Sequence, residues 1–163
     1  MRSSAFPPVV APQVRILLLG SLPGAASLAA ARYYAHPRNL FWRLAGAVIE
    51  REDLPALDYD ARLAALLSHD IGLWDTIASA LRPGSLDSAI RQAEAAPLRE
   101  LVATLPALRA VGFNGAAAAR IGRRSLDGTG LALVDLPSSS PANASISLPR
   151  KLESWLTLQQ FLA

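Results

Sequence analysis

The chain has 163 residues, a formal net charge of +3, 52% hydrophobic and only 6% aromatic residues, which suits one domain whose core of Leu, Ala, Ile and Val packs helices on a sheet. With no Cys and only 2 His, disulfides, zinc–thiolate sites and cysteine-ligated iron–sulfur clusters are excluded, and neither metal nor cofactor is expected. All 16 basic residues except Lys151 are arginine, a bias that fits a phosphate-bearing partner and equally fits plain genome composition.

Residues 1–14 hold three prolines and read as an extended lead-in, so the domain is expected over 15–163. The run from Ile16 to Leu19 is too short to cross a bilayer and follows prolines, not basic residues. No signal peptide or membrane segment is expected, and the cytoplasm is the default location. Arg15-Ile16-Leu17-Leu18-Leu19 is stopped by Gly20-Ser21-Leu22-Pro23-Gly24 and suits a strand buried on both faces of a parallel sheet. Residues 27–50 read as helical with a break at Pro37, which lacks an N–H and disfavours helix at His36. Asn39 then caps a second helix whose apolar face is Phe41, Leu44, Ala45 and Val48.

Asp60 is expected to cap a helix reaching Leu67, ahead of a strand at 71–75. Pro97 opens a helix to about Leu105, and a strand at 110–113 leads through a turn at Asn114 into a small-residue helix at 115–121. A last strand at 131–134 precedes a closing helix that starts at Pro149 or Arg150. Strand and helix alternate four times, which predicts an α/β fold, a three-layer α/β/α sandwich with a mostly parallel sheet. Ligands of such sheets bind beyond the carboxyl ends of the strands.

Three segments fall at those ends. Gly20-Ser21-Leu22-Pro23-Gly24 matches neither a dinucleotide fingerprint nor a P-loop, which disfavours a nucleotide-cofactor enzyme; its glycines let backbone approach a ligand, or simply make a tight turn. The turn at Asn114 is the second. The third, Leu136-Pro137-Ser138-Ser139-Ser140-Pro141-Ala142-Asn143-Ala144, offers hydroxyls and an amide on a stiff loop, suited to gripping phosphates, although serine-rich loops also serve as solvated connections.

The stretch Tyr33-Tyr34-Ala35-His36-Pro37-Arg38-Asn39-Leu40-Phe41-Trp42 gathers rings, an Arg and an Asn around one helix break. Rings stack bases, Arg meets phosphate, and Asn holds water or reads a base edge. Phe41 and Trp42 suit the core better than a contact surface. His36 alone suits a structural hydrogen bond better than acid–base work.

The order GS-x-PG-x-x-S-L, YYAHPRN-x-FW, GLWD followed by GSLDSAI, FNG, LPSSSPANA and a final K-L-x-x-W resembles the hypoxanthine-DNA glycosylases of the uracil-DNA glycosylase superfamily, from about Arg15 to Trp155. The resemblance implies a four-stranded parallel sheet with helices on both faces and a cofactor-free, base-flipping hydrolase acting on DNA with a deaminated base. A monomer is expected. In that superfamily the first loop usually carries a catalytic Asp or Asn, where this chain has Ser21 and Leu22. On the hypoxanthine branch the catalytic Asn matches Asn39, within a base pocket that takes in the first loop, Tyr33, Tyr34 and His36. Ser138, Ser139, Ser140, Pro141, Ala142 and Asn143 match the loop that grips the DNA backbone and inserts into the duplex, with Arg38 as a further backbone contact. Asn114 matches the place of a base-reading amide.

Breaking an N-glycosidic bond makes the sugar oxocarbenium-like. No Asp or Glu lies between Arg15 and Ile49, so Asn39 is expected to position water and hydrogen-bond, while Tyr33 or Tyr34 stacks the flipped base. With Lys151 the single lysine, placed in the last helix, a Schiff-base lyase step is not expected. Two alternatives stay open: a glycosylase for mispaired uracil, and a non-catalytic module that binds damaged DNA.

Overall fold

The structure, a computed structural model, describes residues 2–81 and 90–163; the GSLDSAI motif lies outside the described residues except for Ile90. The elements are β1 (Arg2–Ser4), β2 (Ile16–Gly20), α1 (Ala25–Ala30), α2 (Phe41–Val48), α3 (Tyr59–Ser68), β3 (Ile71–Asp75), β4 (Ile77–Leu81), β5 (Arg91–Ala95), α4 (Leu98–Val102), β6 (Ala110–Asn114), α5 (Ala116–Leu126), β7 (Ala132–Leu136) and α6 (Leu148–Leu156).

Every residue of β2 is buried, and alternation along a strand sends neighbouring side chains to opposite faces. Ile16 and Leu18 join one core with Phe41, Leu44 and Val48 of α2, Leu66 of α3 and Trp155 of α6. Leu17 and Leu19 join the other with Leu98 of α4 and Ala118 and Leu126 of α5. The four-stranded sheet between these layers has the order β3-β2-β6-β7, and all three of its pairings are parallel. Among the described residues no helix is long and apolar enough to cross a membrane.

Several boundaries differ from the sequence reading. The first helix starts at Ala25 and ends at Ala30, well short of Pro37. It closes with Arg32 N–H on Ser27 O (3.0 Å) and Ala31 N–H on Leu28 O (3.3 Å), a Schellman pattern in which Ala31, at φ 53°, takes the left-handed place usually held by glycine. Without that glycine the sequence carries no stop signal. The cap of α3 is Asp58, whose carboxylate accepts from Ala61 N–H at 2.8 Å, while Asp60 lies inside the first turn. The helix after Pro97 is shorter than expected and α5 longer, and α6 begins at Leu148 behind a Ser147 cap.

A second sheet, antiparallel with order β1-β4-β5, had no counterpart in the sequence reading. Its outer strand β5 is exposed at every position, so it carries no apolar alternation to betray it. The N-terminal residues are paired as well: β1 runs against β4, Val9 exchanges two 2.9 Å backbone hydrogen bonds with Leu73, and Trp74 Nε1 donates to Phe6 O at 2.8 Å.

Helix α5 approaches β6 closely because Gly122 faces the buried Phe113 ring, which a Cβ at that position would overlap. Gly122→Ala would gain about 1 kcal/mol of helix propensity, but overpacking costs about 1–3 kcal/mol. Denaturant unfolding should therefore show a net loss of up to about 2 kcal/mol; a raised midpoint would contradict this packing.

Candidate active site

The chain enters the parallel sheet at β2, moves outward to β3, then returns to β6 on the other side. The switch point of such a sheet is where strand-end loops part and leave a crevice. Gly20, Asp75 and Asn114, the last residues of β2, β3 and β6, line a cleft of about 320 Å³ at that place. The volume lies at the small end of the roughly 300–1,000 Å³ typical of ligand pockets.

One wall is the segment 31–40. Its shape comes from Tyr34 at φ 53° and from hydrogen bonds to its backbone. Ala35 N–H donates to Ser27 Oγ at 3.0 Å, Tyr33 N–H to the Tyr59 hydroxyl at 3.0 Å, and Trp42 Nε1 to Tyr34 O at 3.2 Å. The Tyr34 ring stacks on Phe41 with centroids 3.8 Å apart and planes 5° from parallel. Tyr33 is only 3% exposed and its hydroxyl points to the Phe6 and Pro7 carbonyls. Burial, with the nearby Asp75 charge adding to it, pushes the Tyr33 phenol far above its usual range, so it remains a neutral donor.

His36 and Asn39 close a turn, with Asn39 N–H on His36 O at 3.0 Å. His36 Nδ1 accepts from Arg38 N–H at 3.1 Å, which assigns the ring proton to Nε2. Asn39 Oδ1 accepts from Phe41 N–H at 2.9 Å, so the residue does cap α2, from one position before the Leu40 N-cap. Among the described residues that single bond orients the amide and leaves both Nδ2 hydrogens and a second Oδ1 lone pair for the cleft.

The opposite wall is the loop after β7. Asn114 holds it by two bonds to Ser139: Nδ2 donates to Oγ at 2.9 Å, and Oδ1 accepts from the Ser139 N–H at 2.9 Å. Ser139 O in turn accepts from Leu40 N–H at 3.0 Å, joining the two walls. Ser138 Oγ accepts from Ser140 N–H at 3.1 Å, a local bond that stiffens the turn.

The cleft thus brings together Gly20, Ser21, Leu22, Pro23 and Gly24 of the first loop, Tyr33, Tyr34, His36, Asn39 and Asn114, and residues 138–143 of the last loop. Arg38 is not among its lining residues and stands exposed. Sequence reasoning missed Ser27 and Asp75, both lining and both buried. Asp75, 3% exposed, is the last residue of the GLWD strand. The rule that directed attention to the other strand ends would have found it there.

The description of the Uracil DNA glycosylase superfamily matches residues 7–159. The chain belongs to the uracil DNA glycosylase superfamily. It is similar to two curated relatives named "Hypoxanthine DNA glycosylase". One, from Methanosarcina barkeri, is 44% identical over 71% of this chain and 72% of the relative. The other, from Methanosarcina acetivorans, is 39% identical over 94% and 96%. A solution NMR structure of a candidate uracil DNA glycosylase from Methanosarcina acetivorans superposes with a TM-score of 0.88 at 36% identity and covers 100% of both chains.

In this superfamily member Gly20 is required by its neighbours: a Cβ there would lie 2.8 Å from Asp75 Oδ1 and 3.0 Å from the Tyr34 hydroxyl. Gly20→Ala should cost about 1–3 kcal/mol of stability by overpacking yet displace both polar groups within the cleft. Activity of the folded variant should fall roughly 10- to 100-fold. Unaltered activity would show that neither group has a demanding position.

Proposed function

We propose that this protein is a monofunctional DNA glycosylase that hydrolyses the N-glycosidic bond of deoxyinosine and releases hypoxanthine. The observation that carries the reading is Asn39: a cleft-lining amide whose orientation is set by one bond to α2 and whose remaining donors and acceptor, among the described residues, are left for substrate. Superfamily membership and the names of the two curated relatives support the reaction and the base.

A base inside a duplex is out of reach, so the nucleotide is flipped into the cleft, at least cost where pairing is already weak. Tyr34 supplies an aromatic wall braced from behind by Phe41, whereas Tyr33 is committed to the core, so Tyr34 is the ring that stacks the base. As the C1′–N9 bond breaks and the sugar gains oxocarbenium character, Asn39 Oδ1 holds the attacking water and Nδ2 donates to the reacting nucleotide. The water oxygen bonds to C1′ and its proton leaves toward the departing base.

Asp75 reads the base edge. An ionised carboxylate only accepts hydrogen bonds, and hypoxanthine presents an N1–H where adenine presents a bare acceptor. A site built to bind a donor rejects the analogue that lacks one. Uracil and xanthine carry the same lactam N–H, and so do guanine and thymine, so Asp75 separates hypoxanthine from adenine and leaves the remaining selection to pocket shape and to weak pairing at the lesion. Two of the four hydrogen-bonding positions of Asn114 already serve Ser139, which fits that residue to holding the wall first and reading the base second.

Residues 138 and 140–143 meet the DNA backbone while the buried Ser139 holds the loop from within, and the exposed Arg38 reaches phosphate from outside the cleft. Lys151 lies away from the cleft lining with its Nζ on Asn143 O at 2.8 Å. The single lysine of the chain is thereby not offered to C1′, and the reaction stops at the abasic site.

The test separates the two jobs of Asn39. Asn39→Asp keeps an oxygen for Phe41 N–H, and Asn39→Ala loses about 1 kcal/mol of capping, so both should fold. Both should lower the single-turnover rate of hypoxanthine release roughly 100-fold or more while retaining DNA binding. A folded Asn39→Ala variant with near wild-type release would refute the role.

A further inference from the structure

Helix α6 carries two buried side chains one turn apart on one face, Lys151 at 2% and Trp155 at 0% exposure. Both donate to the last loop, one at each end. Lys151 Nζ donates to Asn143 O at 2.8 Å, and Trp155 Nε1 donates to Pro137 O at 3.0 Å. Between these anchors the loop closes on itself through Asn143 N–H on Ser140 O at 3.0 Å and Asn143 Nδ2 on Ser138 O at 3.4 Å.

The Trp155 bond satisfies an indole that the core would bury in any case. Lys151 is different in kind. Burial lowers its pKa below the ordinary lysine range, and among the described residues its ammonium has a neutral carbonyl as its hydrogen-bond partner and no carboxylate. A buried charge without an ion partner does not favour the folded state, and an apolar side chain of similar length would pack in its place. What the lysine brings over an apolar side chain is reach to a fixed carbonyl and positive charge directly behind a loop whose other side meets phosphate.

We propose that Lys151 is the positioning residue of the DNA-gripping loop, holding its Asn143 end in the shape that receives the DNA backbone. This rests on the glycosylase reading of the cleft. Lys151 acts through the loop, touches neither base nor sugar, and trades stability for that geometry.

The experiment compares wild type, Lys151→Met and Lys151→Arg by melting temperature, by Kd for a duplex carrying an abasic site, and by single-turnover hypoxanthine release at saturating protein. Lys151→Met should melt with or above wild type and bind about tenfold or more weakly. Once saturated, it should keep a rate within about threefold of wild type. Lys151→Arg, which retains charge and donors, should recover most of the binding. Wild-type binding by Lys151→Met, or binding lost only in step with melting temperature, would overturn the proposal. Should Lys151→Met not fold, the wild-type protein provides the readout, because its single lysine yields one Nζ resonance. Titration with the abasic duplex should shift that resonance, and an unmoved resonance would overturn the proposal equally. If wild type releases no base at all, the glycosylase reading fails, while the binding comparison still decides the role of Lys151.

Discussion

Ser139 is the junction on which the cleft depends. Only 1% exposed, it uses its N–H and hydroxyl on the Asn114 amide and its carbonyl on Leu40 N–H. Three segments distant in sequence meet there: the end of β6, the loop after β7, and the stretch that carries Asn39. A buried polar network holds one arrangement when its members are satisfied and becomes costly when one partner is lost. The spacing between Asn39 and the loop after β7 is therefore set by a few short hydrogen bonds, with the apolar core supplying the platform beneath them.

Around that junction the backbone takes conformations that side chains disfavour. Ala31 and Tyr34 both sit at φ 53°, where an L-residue pays roughly 1–2 kcal/mol. Ser27 accounts for how this persists: its carbonyl accepts from Arg32 N–H and its hydroxyl from Ala35 N–H, so one buried residue bridges both left-handed turns. The Phe41 ring then stacks on Tyr34. Left-handed residues placed at a site and over-determined by their surroundings are the usual form of preorganisation.

Much of the fold was legible because its signals are local. The buried strand at β2, the strand at β3 and the alternation of strands with helices all leave continuous apolar runs bounded by turn residues. Three things were not. The end of α1 lacks the glycine that commonly marks it, Asp58 and Asp60 are equally plausible caps by composition, and β5 has no buried face. At the candidate site, motif resemblance and strand-end reasoning named nearly all the lining residues. They could not show that Asn39 both caps α2 and faces the cleft, that Asn114 is bonded to Ser139, or that Tyr33 and Tyr34 have different surroundings. Those facts depend on side-chain directions fixed by long-range contacts. Asp75 was overlooked because GLWD reads as a strand rather than as a loop, although its last residue stands at the same sheet edge as Gly20 and Asn114.

In the proposed reading a cleft walled by Tyr34 and served by Asn39 releases hypoxanthine, with Asp75 accepting from the N–H of the base. Its most direct test is the release of bases from otherwise identical duplexes carrying deoxyinosine, deoxyuridine, deoxyxanthosine or no lesion, scored as alkali-labile sites under single-turnover conditions. The predicted result is fastest cleavage at deoxyinosine and none in the undamaged duplex. Efficient uracil release with negligible hypoxanthine release, or no release from any duplex, would contradict it.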